Sequence, residues 1–328
     1  MEPLLLITIF ISFFCTFLIT PFWIRKAKSL GLTGRDIHKR DSENVAEGGG
    51  IGIIFGFTIG VLLYIAFSTF IVKNAAFTTQ LLALLCVLFI GSIVGIVDDV
   101  TGWKKGLNKK IRIAIIAFAA VPLMVINAGT STIMGINIGI FYPLVLVPLG
   151  IVGATTTYNF LAGYNGLETS QGIIILSALA VVTYITGNAW LSVVALCMVA
   201  SLIAFYFYNM NPARIFPGDI TTYSIGALIA IIAILGNIEK IAIFFFIPYI
   251  LETILKLRGG LKKESFGKLN EDGKSLDLRY DKVYGLEHVA TKILKKIKPS
   301  GKAYESEVVW LINGFQILII IAGFLIWF

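Results

Sequence analysis

The sequence predicts an all-α, polytopic membrane protein with about ten transmembrane helices, both termini outside, and its chemistry-bearing residues on the cytoplasmic face. Three observations predict it: an apolar composition, a series of long apolar runs, and a one-sided distribution of basic residues. Of the 328 residues, 57% are hydrophobic and 14% charged, with a mean hydropathy of +0.87. That is too little charge to coat a soluble globule of this size. The net charge of +8 fits basic loops lying beside anionic headgroups, so the lipid bilayer is the expected partner and nucleic acid is not.

Runs long enough to cross about 30 Å of hydrocarbon occupy residues 3–24, 49–72, 79–97, 111–127, 139–160, 172–187, 190–208, 220–236, 239–257 and 308–328. The first run has no basic segment before it and no small-residue cleavage site after it, so it reads as an anchor and not a cleaved signal. Cys15, Cys86 and Cys197 all fall inside apolar runs, without metal-ligand or disulfide spacing, and read as small core residues. Of the 27 Lys and Arg residues, all but Lys73 and Lys240 follow odd-numbered runs. The positive-inside rule therefore places those connections in the cytoplasm. Residues 1–328 read as a single integral membrane unit, with 258–307 as a cytoplasmic loop between the ninth and tenth spans.

The polar signals gather on that same side. Asp98-Asp99 stands where an apolar run meets the basic segment 104–112, and a carboxylate pair at a span end is a functional candidate by default. The segment 159–168 places Asn159, Gly163, Asn165 and Gly166 just beyond an apolar helix. A helix cap followed by a turn would explain these residues; backbone bent around a ligand is the sharper reading. The segment 209–219 carries Pro212, Pro217 and Gly218 and ends on Asp219 at the expected N-cap of the next span, where capping alone would account for it.

Taken together, three carboxylates and an amide cluster are hard oxygen donors that select Mg²⁺, with Mn²⁺ as the alternative. Lysines between 104 and 110 would neutralise phosphates, and the set is the equipment of phosphoryl transfer. A cation-coupled transporter is the reading from another class. It is disfavoured because transporters place ionisable groups near the bilayer midplane and not at its cytoplasmic boundary. A purely structural membrane subunit would tolerate alanine at Asn159 and Asp219.

Asp98-Asp99-Val-Thr-Gly102-Trp103, the segment 159–168 with Gln171, and Phe216-Pro-Gly218-Asp219-Ile-Thr-Thr-Tyr223 resemble the successive motifs of the polyprenyl-phosphate N-acetylhexosamine-1-phosphate transferases. The ordered set covers essentially the whole chain. The resemblance implies a sugar-1-phosphate transferase that takes a UDP-sugar and a polyprenyl or dolichyl phosphate and releases UMP. By that resemblance Asn159 and Asp219 are Mg²⁺ ligands, and Gly163, Asn165 and Phe216 hold or stack on the uracil. It also makes Asp98 and Asp99 the pair near the metal and the attacking lipid phosphate, and Asp98, Asp99, Lys110 and Asp219 the catalytic set. Lys110, or Lys109 if the gap lies differently, matches a lysine on the pyrophosphate. Glu47, in a glycine-rich segment preceded by Asp41, matches a position near the nucleotide.

The loop 258–307 separates subgroups. It carries His288 alone, where bacterial members have a His-rich motif, and Lys268-Leu269-Asn270 with Gly273-Lys274 resemble the dolichyl-phosphate enzymes. Those use an arginine-rich motif where this chain has Lys262, Lys263 and Ser265. GlcNAc-1-phosphate is the implied group, and a phospho-MurNAc-pentapeptide-type or other UDP-sugar reaction is the alternative. The implied location is the cell membrane, with a homodimer left open.

Overall fold

A bilayer offers no hydrogen-bond partner to a bare backbone, so apolar runs of this length must satisfy their amides internally, as helices. The computed structural model describes residues 3–40, 44–101, 106–133 and 136–328. Among them the helices are α1 (Pro3–Ser29), α2 (Gly50–Ala66), α3 (Thr78–Thr101), α4 (Lys109–Ala119), α5 (Val121–Val125), α6 (Val147–Phe160), α7 (Leu167–Ile185), α8 (Ala189–Asn209), α9 (Gly218–Gly236), α10 (Glu239–Phe245), α11 (Ile247–Arg258), α12 (Leu286–Ile297) and α13 (Glu305–Trp327). Eight segments are long and apolar enough to cross a membrane, built on α1, α2, α3, α6, α7, α8, α9 and α13.

The two remaining predicted spans, 111–127 and 239–257, are jointed. Each divides where a proline enters the first turn of its second half, Pro122 in α5 and Pro248 in α11, because proline has no N–H to continue the ladder. The joints interrupt the run without ending it: Met124 N–H donates to Ala120 O at 3.1 Å and Ile250 N–H to Phe246 O at 3.0 Å. The predicted span 172–187 starts five residues early, at Leu167, because Gly166 at φ +81° turns the chain into the helix there. Glu168 and Gln171 are therefore helical.

The all-α expectation holds for the bulk of the chain, but short strands occur in its connections. β1 (Thr33–Arg35) pairs antiparallel with β2 (Asn44–Ala46), β3 (Thr132–Ile133) with β4 (Ile136–Asn137), and β5 (Lys268–Leu269), β6 (Ser275–Asp277) and β7 (Ala303–Tyr304) form a sheet in that order.

Helix α9 is buried along almost its whole length, and its first turn is approached by glycines on two neighbours. A Cβ on Gly95 of α3 would stand 2.5 Å from the Cα and N of Ile220, and one on Gly50 of α2 would stand 2.7 Å from Ile220 Cβ. Further along, a Cβ on Gly226 would meet the α6 backbone at Thr155 Cα, 2.7 Å away. The polar ends of α3, α6 and α9 are thereby held together. Helix propensity alone would favour Gly95→Ala by up to about 1 kcal/mol. The clash is with backbone that cannot step aside, so the substitution is expected to cost about 1–3 kcal/mol instead. Thermal melting in detergent checks this, and an unchanged or higher melting temperature would remove the close crossing.

Candidate active site

The site is assembled from the C-terminal end of α3, the C-terminal end of α6 and the first turn of α9. Gly218 at φ +74° starts α9 with Pro217 before it, and no side chain of the local segment caps the helix. The cap comes from α3. Asp99 Oδ1 accepts the Asp219 N–H at 2.8 Å and Oδ2 the Ile220 N–H at 3.5 Å. A Cβ on Gly218 would lie 2.2 Å from Asp99 Oδ2, so the contact requires glycine there. This corrects the expectation that Asp219 is its own helix's N-cap. Asp219 sits inside the first turn, where a side chain no longer reaches the N2 and N3 amides.

Freed from capping, the Asp219 carboxylate meets α6: Asn159 Nδ2 donates to Asp219 Oδ1 at 2.8 Å. The Tyr223 hydroxyl lies 3.4 Å from Asp219 Oδ2 and 3.3 Å from Asp98 Oδ2, joining the two carboxylates. The adjacent pair is therefore divided between two tasks. Asp98 is turned away from the helix start, accepts the Leu107 N–H at 2.7 Å on Oδ1, and pairs through Oδ2 with Arg112 Nε at 2.9 Å.

Arg112 is a residue that the sequence reading counted among the basic loops and assigned no role. Lys109 and Lys110 begin α4 exposed to solvent, with no ion pair among the described residues, whereas Arg112 reaches the acidic centre. A signal was present: 112, 116 and 119 fall on one face of a 3.6-residue period, and Ile116 and Ala119 are buried. Asp41, Gly102, Trp103, Lys104 and Lys105 lie outside the described residues.

The glycine-rich segment is strapped to the start of α9. Phe216 N–H donates to Ala46 O at 2.8 Å, Gly49 N–H to Phe216 O at 3.0 Å and Gly50 N–H to Pro217 O at 2.9 Å. Phe216 and Glu47 thus join the same region. Burial, and then the Asp219 charge, push the Glu47 carboxyl up from its ordinary range. Among the described residues, four carboxylates, Glu47, Asp98, Asp99 and Asp219, share this corner with a single arginine.

The donor set fits a hard divalent cation. Asp219 and Asn159 present a carboxylate and an amide side by side. With the Asn159 amide turned to offer Oδ1, two oxygens converge where the described residues carry an excess of negative charge.

Asn165 and Gly163 are placed differently. Asn165 is buried, with Nδ2 donating to Asp36 Oδ2 at 2.9 Å and its N–H to Glu305 Oε1 at 2.8 Å. Its amide group thus ties the β1–β2 hairpin to α13. Lys39 Nζ donates to Asp36 Oδ2 at 2.6 Å, and His38 Nδ1 lies 3.5 Å from Glu305 Oε1. Burial works to raise the Asp36 carboxyl, but the Lys39 and Asn165 hydrogen bonds outweigh it and hold the group below its ordinary range. Ligand-type atoms of Asp36, His38 and Glu305 lie within 4.8 Å of one another. Protein N–H groups already bond both carboxylates there, while His38 Nε2 is buried without a hydrogen-bond partner.

Gly163, at φ +110°, donates its N–H to Glu168 Oε1 at 2.7 Å, and a Cβ there would stand 2.1 Å from the Phe266 ring. The cytoplasmic loop therefore lies directly on this turn. Lys262 and Lys263 are exposed on that loop. Lys263 Nζ sits 4.8 Å over the Tyr280 ring, and neither contacts the acidic centre among the described residues. A lysine without an assigned role, Lys256, lies 5.6 Å over the ring of Phe160, beside Asn159.

These features define a multi-span membrane protein with an acidic, oxygen-rich centre at one end of its helix bundle. Residues 81–237 match glycosyl transferase family 4. A protein of Saccharolobus solfataricus, provisionally named UDP-N-acetylglucosamine–dolichyl-phosphate N-acetylglucosaminephosphotransferase, is 36% identical over 95% of this chain and 93% of its own. Its namesake from Sulfolobus acidocaldarius is 30% identical over 96% of this chain and 93% of its own. A phospho-N-acetylmuramoyl-pentapeptide-transferase of Streptococcus mutans is 28% identical over 74% of this chain and 76% of its own. The chain belongs to glycosyl transferase family 4.

Proposed function

We propose that the chain transfers a sugar-1-phosphate from a UDP-sugar to a polyprenyl phosphate, releasing UMP and leaving a lipid diphosphate sugar. GlcNAc-1-phosphate and dolichyl phosphate are the favoured pair, after the names of the Saccharolobus and Sulfolobus relatives. The observation that carries this reading is the release of Asp219 from helix capping by Asp99, which leaves its carboxylate beside Asn159 in an acidic corner with one arginine.

Mg²⁺ held by Asn159 and Asp219, with Mn²⁺ as the alternative, would supply charge neutralisation on the diphosphate. The chain's own residues then position and pair. Arg112 is the cation nearest the Asp98 side, where an incoming phosphate competes with Asp98 for the guanidinium. An oxygen of the lipid phosphate attacks the sugar-linked phosphorus, the bond to the UMP oxygen breaks, and UMP leaves with the electron pair. The second pKa of a phosphate is about 6, so the nucleophile is largely ionised at neutral pH and a general base is not required. Both carboxylates of the Asp98-Asp99 pair already hold protein donors, which supports orientation over proton abstraction as their role.

Counting the two proline-jointed segments as spans gives about ten, with both termini outside and the acidic centre at the cytoplasmic surface of the cell membrane. Purified protein given UDP-GlcNAc, Mg²⁺ and dolichyl phosphate is expected to release UMP in step with lipid-linked sugar phosphate. Release of UDP would identify a glycosyl transfer and refute the phosphotransfer.

A further inference from the structure

Beside the site lies a group of buried acids that the proposed reaction does not use. Glu252 of α11 and Glu287 of α12 are both 0% exposed, and Ser265 between them is 2% exposed. Glu252 Oε2 accepts the Leu286 N–H at 2.5 Å, which docks the start of α12 on α11. The other oxygens are orphans: Glu252 Oε1, both carboxyl oxygens of Glu287 and Ser265 Oγ are buried without a hydrogen-bond partner. They surround one point, because a Cβ on Gly285 would stand 2.6 Å from Glu287 Oε2, 3.0 Å from Glu252 Oε1 and 2.4 Å from Ser265 Cβ.

The cation beside them is Lys256, with Nζ 3.6 Å from Glu252 Oε1. Two carboxylates against one lysine leave a buried negative charge, which is strongly unfavourable without a further positive charge. A proton needs no coordination shell, and on Glu287 it adds a donor beside the Ser265 hydroxyl for the carboxyl oxygens. The other groups facing the pair are accounted for. The Tyr164 hydroxyl, from the turn between α6 and α7, accepts the Gly267 N–H at 3.0 Å. His288 Nδ1 accepts the Tyr284 N–H at 3.2 Å, and its Nε2 lies 3.4 Å from Phe266 O. The loop these contacts hold is the one whose Phe266 covers Gly163.

We propose that Glu252 and Glu287 are positioning residues that share one proton, and that this carboxyl–carboxylate pair clamps α12 and its preceding loop onto the Gly163 turn of the proposed nucleotide site. The role in nucleotide binding rests on the function proposed above; the clamp itself does not. Burial, and then the neighbouring Glu252 charge, push the Glu287 carboxyl well above its ordinary range. An acid whose folded value is raised favours the docked state below its unfolded value and loses that contribution as pH rises through the folded one. The clamp is therefore tight at acidic pH and weakens upward from the ordinary carboxylate range.

Hydrogen exchange of the Gly267 amide, which donates to the Tyr164 hydroxyl, tests the clamp in the full-length protein without any substrate. Protection in the wild type is expected to fall by up to about tenfold per pH unit across the titrating window, the slope of one linked proton. Glu287→Gln carries a permanent neutral donor and is expected to keep the protection and flatten its pH dependence, whereas Glu287→Ala loses protection at every pH. In parallel, the KM for the UDP-sugar should rise with pH in the wild type and stay flat in Glu287→Gln. Wild-type protection independent of pH would overturn the clamp, and so would a Gln variant as unprotected as Ala, the result of a metal cation held between two carboxylates. A protein that turns over no UDP-sugar would refute the proposed function and leave the exchange result to judge the clamp.

Discussion

Asp219→Asn is expected to lower UMP release about a thousandfold, the scale of removing a fixed charge from a preorganised phosphoryl-transfer site. The substitution isolates charge from shape. Asn fills the same volume, its backbone N–H still reaches Asp99 Oδ1, and an amide still accepts from Asn159 Nδ2. The first turn of α9 should therefore persist while the anionic ligand is lost. Melting in detergent is expected to change by less than about 1 kcal/mol equivalent, as for a near-isosteric change that keeps its hydrogen bonds. The check is steady-state UMP release beside melting of the same preparation. Activity within about tenfold of wild type, or a melting loss large enough to explain the inactivity, would take Asp219 out of the chemistry.

Arg112→Ala should damage stability as well as turnover. The Asp98 side chain is 3% exposed and that of Arg112 is 30% exposed. Removing the guanidinium leaves a buried carboxylate whose partners among the described residues are the Leu107 N–H and the Tyr223 hydroxyl. Breaking a buried pair from one side costs about 3–5 kcal/mol, and the partial exposure of Arg112 places this case at about 3 kcal/mol. Arg112→Lys keeps the charge but not the planar contact through Nε, so an intermediate loss is expected. Lys109→Ala and Lys110→Ala remove exposed side chains and should shift stability by no more than about 0.5 kcal/mol. Melting and UMP release across the four variants decide which cation serves the site. A loss of turnover in Lys110→Ala as large as in Arg112→Ala would give Lys110 a share in the role.

Much of the fold was legible because it depends on local composition. Runs of apolar residues must become helices in a bilayer, but the joints at Pro122 and Pro248 divide two runs that the sequence presents as continuous. The convergence of Asn159 and Asp219 was readable as a resemblance only. Neither residue's neighbours in sequence reveal that the two side chains meet.

Other parts of the site were hidden by distance along the chain. The cap on α9 comes from Asp99, 120 residues away, and it forms because Gly95 and Gly218 let two backbones approach within reach of one carboxylate. Asn165 meets Asp36 and Glu305, 129 and 140 residues distant, so its amide is committed to a network that no local pattern displays. Arg112 was half visible, on the buried stripe of α4, but its partner was not.

The sequence by itself determined the membrane class, the apolar runs that become helices, and the enrichment of oxygen donors in three short polar segments. Those follow from hydropathy and residue type, which each stretch carries independently of the rest. Only the tertiary structure decided the division of labour between Asp98 and Asp99, the freeing of Asp219, and the pairing of Glu252 with Glu287. A buried carboxylate takes whichever donor the packing brings within about 3 Å, and that donor is selected by helix crossings and not by neighbours in the chain.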